Sequence, residues 1–102
     1  MKTRALTTLT IDGQTYSIRT TRHSEKRLVK RDIDEYMVAS NILSLGKEKI
    51  KYYQGTEKDV MVIDETNGFS ICFAFNGNKI VIITVIDKDD IWVKKNTLVE
   101  HI

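Results

Sequence analysis

The stretch Ile80-Val81-Ile82-Ile83-Thr84-Val85-Ile86 is apolar at odd and even positions alike. Read as a β-strand, it buries both faces, which marks a central strand with neighbours on either side. Just upstream, Phe69, Ile71, Phe73 and Phe75 alternate with Ser70, Cys72 and Ala74, so this strand has one strongly apolar face for helices to cover. Val60 to Asp64 reads as a third strand, and Asn67-Gly68 and Asn76-Gly77 supply turns that link these runs into an antiparallel β-meander.

Working back toward the N-terminus, Ile50 to Gln54 is a weaker strand candidate. Before it, helical spacing appears: Val38, Ile42 and Leu45 lie on one face, with Tyr36, Ala39 and Leu43 beside them. Asp34 is placed to cap the start of that helix and Gly46 to close it. An earlier helix runs from about Thr21 to Arg31, ended by Asp32, a residue that tolerates left-handed geometry. The chain opens with two alternating runs, Leu6 to Ile11 and Thr15 to Arg19, joined by the hairpin dipeptide Asp12-Gly13. The expected architecture is α+β, in the order N-terminal β-ribbon, two helices, antiparallel β-meander.

A chain of 102 residues without proline, repeats or low-complexity tracts reads as a single domain spanning 1–102. Its 41% hydrophobic and 29% charged content argues against disorder. The lone Cys72 permits no internal disulfide and no cysteine-based zinc site, which points to a cytoplasmic location. No segment has the length and hydropathy of a membrane span, and Met1 to Ala5 begins no secretory signal pattern.

Net charge is only +2, but its distribution is uneven. Arg19, Arg22, Lys26, Arg27, Lys30 and Arg31 face a single acid, Glu25, within that stretch. Such a concentration of positive charge on one short helix suits a polyanionic partner such as RNA. Arg22, Lys26 and Lys30 are therefore candidate phosphate contacts; a plain solvated face is the competing reading. At four-residue spacing, His23, Arg27 and Arg31 align one imidazole with two permanent cations along a helix face. A neutral imidazole accepts a proton near physiological pH, although an isolated, exposed helix residue has the same appearance. Thr84 interrupts the apolar strand and offers a hydroxyl toward the helical cations, or it serves simply as a good strand former. Tyr52 and Tyr53, near Lys47, Lys49 and Lys51, offer either base stacking or core packing, and Tyr53 is taken as a candidate nucleic-acid contact. Neither a Walker loop nor a nucleophile elbow occurs, so the candidate chemistry is metal-independent and requires no cofactor. His101, in the terminal Leu98 to Ile102, is expected to fray.

The string His23-x-x-x-Arg27-x-x-x-Arg31-Asp32-Ile33-Asp34, the amphipathic helix ending at Gly46 and the meander closing on Ile82-Ile83-Thr84-Val85 together resemble the small RelE- and BrnT-related toxin domains. Asp32 stands where that family has glycine, and Asp34 where it has a Ser or Thr cap. The resemblance spans about residues 18–86. It implies a barnase/colicin/RelE-like fold and a metal-independent endoribonuclease, often the toxin partnered by an antitoxin. In that scheme His23 is the base, Arg27 and Arg31 stabilise charge on the phosphorane, and Thr84 positions the scissile group. The alternative is a non-catalytic binding module of the same fold, such as a phage-encoded inhibitor of a bacterial defence protein.

Overall fold

Asp12 and Gly13 both hold positive φ, 50° and 81°, which is the geometry of a two-residue turn matched to strand twist. They join β1 (Thr3–Ile11) to β2 (Gln14–Thr21). In the computed structural model, which describes residues 2–102, this ribbon leads into α1 (Arg22–Lys30), α2 (Glu35–Ser44) and α3 (Lys47–Thr56). The chain continues as β3 (Val60–Asp64), β4 (Phe69–Asn76), β5 (Lys79–Ile86) and β6 (Leu98–His101). The six strands form one sheet in the order β1-β2-β5-β4-β3-β6.

Two of the pairings are parallel. Ser17 to Thr20 of β2 run beside Lys79 to Ile82 of β5, and Val60 to Ile63 of β3 run beside Leu98 to His101 of β6. The sheet is therefore mixed and unclosed, which corrects the expectation of a purely antiparallel, barnase/colicin/RelE-like meander. The helical count is corrected too, from two to three. β5 is apolar on both faces and is an interior strand, third of the six, with β2 on one side and β4 on the other. The opening ribbon meets that need for a second neighbour through the long crossover that the helices provide. Likewise, His101 does not fray but pairs with Ile63 at the sheet's far edge.

The third helix replaces the weak strand expected at Ile50 to Gln54. Ile50 and Tyr53, three residues apart, are both buried, while Lys49, Lys51 and Tyr52 are exposed, so burial follows helical rather than strand spacing. Gly46, at φ 87°, reverses the chain between α2 and α3. Asp34 caps α2 as expected, its side chain accepting a hydrogen bond from the Tyr36 backbone N–H at 2.9 Å.

All the helices pack on one face of the sheet, where Leu28, Val38, Ile42 and Ile50 meet Ile18, Ile82, Phe73 and Val62. The opposite face is covered only in part. There Met61, Ile63 and Cys72 pack against Ile86, the last residue of β5, and against Ile91 and Val93 of the segment that follows it. Burial pushes the Cys72 thiol up to about 11, so it packs as a small apolar group rather than as a thiolate.

The buried Asp64 ties the end of β3 to the helical layer, accepting hydrogen bonds from Asn41 Nδ2 at 2.9 Å, Asn67 Nδ2 at 2.7 Å and the Asn67 backbone N–H at 2.9 Å. Burial alone would raise its pKa, but these hydrogen bonds prevail and hold it below the usual carboxylate value. Because the folded-state value is depressed, the stabilisation is present above the unfolded carboxylate pKa and disappears as pH falls through the folded one. Asp64→Asn is expected to cost about 1–3 kcal/mol near neutrality. Thermal melts across pH should show that gap closing below about pH 4; a gap independent of pH would refute this role for the carboxylate.

Candidate cationic ridge and groove

α1 begins with a reciprocal cap. Thr21 Oγ1 accepts from the Ser24 backbone N–H at 3.0 Å, and Ser24 Oγ accepts from the Thr21 backbone N–H at 2.8 Å. This fixes the helix entry and turns Ser24 and Leu28 into the protein interior. Glu25 faces the opening ribbon, where Arg4 of β1 and the Thr20 hydroxyl of β2 donate to it. Arg4 also donates to Glu35, so one guanidinium clasps α1 to α2. Arg4 and Thr20 hold the Glu25 carboxyl below its ordinary range.

Glu25 borders the same surface as the outward stripe of α1, but its carboxylate is bonded to Arg4 and Thr20 rather than to the stripe's own cations. Arg22, Lys26 and Lys30 are exposed, and among the described residues none makes a side-chain ion pair. Elsewhere Arg4 meets Glu25 and Glu35, Lys49 meets Glu100, and Lys51 meets Asp12; other exposed lysines, such as Lys58, Lys88 and Lys95, are unpaired among the described residues as well but are not gathered on one short helix. Exposed Val29 lies between the ridge cations, so the surface is positively charged with an apolar strip.

The stripe His23, Arg27 and Arg31 runs along β5. His23 is exposed and borders a cavity with Val81 and Ile83, while Arg27 is half-buried. Arg31 Nη1 donates to the Val85 carbonyl at 2.6 Å, and its Nε lies 4.0 Å from Asp87 Oδ1. The β2 register beside β5 ends at Thr20 and Ile82, so Arg31 binds the strand beyond the point where β2 has stopped. Arg31 is thus occupied in holding α1 to the sheet.

Thr84 takes a different direction from the one expected. Phe73 pairs with Ile82 but Cys72 pairs with Thr84, which leaves Ile83 as an extra residue in a β-bulge. Thr84 therefore shares with Cys72 the face away from the helices. Among the described residues no hydrogen bond joins it to His23, Arg27 or Arg31. Tyr53 is also corrected. It is buried in the core, its hydroxyl donating to Glu100 Oε2 at 2.7 Å, and burial together with that carboxylate raises its pKa to about 12. Its ring is not presented for stacking, whereas neighbouring Tyr52 is exposed.

The feature invisible in the sequence is a groove on the open sheet face. Two adjoining cavities, of about 650 and 270 Å³, share Val81 and Ile83. Lys2, Arg22 and His23 border the larger, and Ala74 and Lys79 the smaller. Arg19 stands in register beside Val81, its Nε donating to Thr3 Oγ1 at 2.5 Å. Among the described residues, no carboxylate lines either cavity. The groove is open because the apolar residues of the segment after β5 pack on Met61, Ile63 and Cys72 and leave Val81 and Ile83 uncovered.

No family model, curated protein or solved structure matches the chain. The functional reading accordingly rests on the chemistry of the ridge and groove themselves. Arg22 is common to both: it lies on the exposed ridge of α1 and borders the larger cavity. Among the described residues, no helix is long and apolar enough to cross a membrane.

Proposed function

We propose that this protein binds RNA through the exposed ridge of α1, with Arg22, Lys26 and Lys30 contacting backbone phosphates. The observation that carries this reading is that Arg22, Lys26 and Lys30 are gathered at four-residue spacing on one exposed helix face, where among the described residues none of them has an acidic partner. Four residues of helix advance about 6 Å, so the ridge offers a row of positive charges to a row of phosphates. Direct charge contacts release counterions, which makes affinity fall as salt rises. Fluorescence anisotropy with a short labelled RNA at increasing salt tests this. Salt-sensitive binding is expected, and a salt-independent signal or no binding would sink it.

A second reading, RNA cleavage, is favoured by the position of His23 where ridge and groove meet. In it, the imidazole takes the proton of a ribose 2′-hydroxyl, whose oxygen attacks the adjacent phosphorus while the P–O5′ bond breaks and the departing 5′-oxygen takes a proton from solvent. Arg27 stabilises the charge that develops on phosphorus. The likeness of the His23, Arg27 and Arg31 spacing to RelE- and BrnT-related toxins supports this reading, and an antitoxin-like protein partner belongs with it. If it holds, His23→Ala should lower cleavage of labelled RNA by about 100-fold or more while retaining binding. Equal activity of wild type and variant would leave binding alone.

A further inference from the structure

We infer that the open groove over Val81 and Ile83 receives an unstacked nucleobase from a single-stranded RNA whose phosphates lie on the α1 ridge. This inference rests on the RNA-binding reading and specifies the form of RNA that the protein takes. Three observations lead to it.

The floor is a β-sheet face built from aliphatic side chains, with Val81 beside Ala74 in register and Ile83 pushed outward by the bulge to 37% exposure. A sheet's backbone N–H and C=O groups point along the sheet toward neighbouring strands, so this face offers an extended peptide no main-chain pairing. A planar ring needs none, since it gains by covering apolar surface. The rim is cationic: Lys2, Arg22 and His23 stand at one end, Lys79 at the other, and among the described residues no acid lines the cavities. That composition suits a ligand with an apolar plate and an anionic edge, as a nucleotide has. The larger cavity, about 650 Å³, falls within the usual size of small-ligand sites.

Continuity decides between a free nucleotide and a strand. Arg22 lies on the groove rim and starts the ridge that continues through Lys26 and Lys30. A phosphate held at Arg22 can thus have its own base in the groove and its neighbours along the helix. Double-stranded RNA keeps its bases stacked inside the duplex and so cannot fill the groove without unpairing.

The test compares the labelled single strand with a strand of the same length in which every base is replaced by an abasic ribose, and with a duplex. These are measured by anisotropy at one fixed salt concentration. Because a base that covers the aliphatic floor gains affinity in proportion to the apolar surface it removes from water, the intact strand should bind roughly 10-fold tighter than the abasic strand. Ile83→Asp, which places a carboxylate in the groove at an exposed position, should remove most of that difference; circular dichroism checks that the variant is folded. Equal affinity for intact and abasic strands would overturn the base site while leaving the ridge reading intact. Tighter binding of the duplex would likewise overturn it. Failure of all three probes to bind would overturn the ridge reading and, with it, this inference.

Discussion

Replacing Arg22, Lys26 and Lys30 together by glutamate is expected to weaken RNA binding by at least about 100-fold at low salt. The fold should be almost unaffected. All three side chains are exposed, and surface substitutions without a buried partner usually change stability by about 0.5 kcal/mol or less each. The salt dependence provides a second readout. Three contacts to a single strand predict a slope of about −2 for log affinity against log salt, and that slope should flatten in the variant. Net charge alone must be separated from position. A matched variant reversing Lys58, Lys88 and Lys95, which are exposed elsewhere on the molecule, carries the same total charge. Anisotropy should show that this control retains most of the affinity. Equal losses in the two variants would mean that diffuse positive charge, not the ridge, attracts RNA.

The ridge was legible in the sequence because helical periodicity is local: once Thr21 to Arg31 reads as a helix, the placement of Arg22, Lys26 and Lys30 follows. Its freedom from partners was not legible. That depends on Glu25 being taken by Arg4, a residue 21 positions earlier on β1. The groove was less visible still, because it requires the bulge at Ile83, the parallel arrival of β2 and the incomplete cover from the segment after β5. Each comes from packing between segments far apart in the chain. The same limit explains the missed parallel pairings, since nothing in the alternation of Ser17 to Thr20 identifies Lys79 to Ile82 as a neighbour. At α3 the alternation of Ile50, Lys51, Tyr52 and Tyr53 imitates a strand, and tertiary burial of Ile50 with Tyr53 overrides that preference.

The central sheet gives the largest expected effect on stability. Phe73 has no solvent exposure and stands in register with Val60 of β3 on one side and Ile82 of β5 on the other. Its ring also meets Phe75 edge-on, with centroids 5.8 Å apart. Phe73→Ala therefore removes a side chain that touches both halves of the sheet and leaves a cavity beneath the helices. The expected cost is about 3–5 kcal/mol, a large share of the roughly 5–15 kcal/mol that holds most domains folded. For a chain of this size, the melting temperature should fall by roughly 15–30 °C. Phe75→Ala supplies the internal comparison: the half-buried Phe75 lies near the hairpin end of β4, where the neighbourhood can relax and water can reach the vacated space. Its expected cost is about half as large or less. Calorimetry or thermal circular dichroism on both variants measures the difference. Equal destabilisation would place the centre of the core nearer the hairpin than the packing of Val60, Phe73 and Ile82 implies.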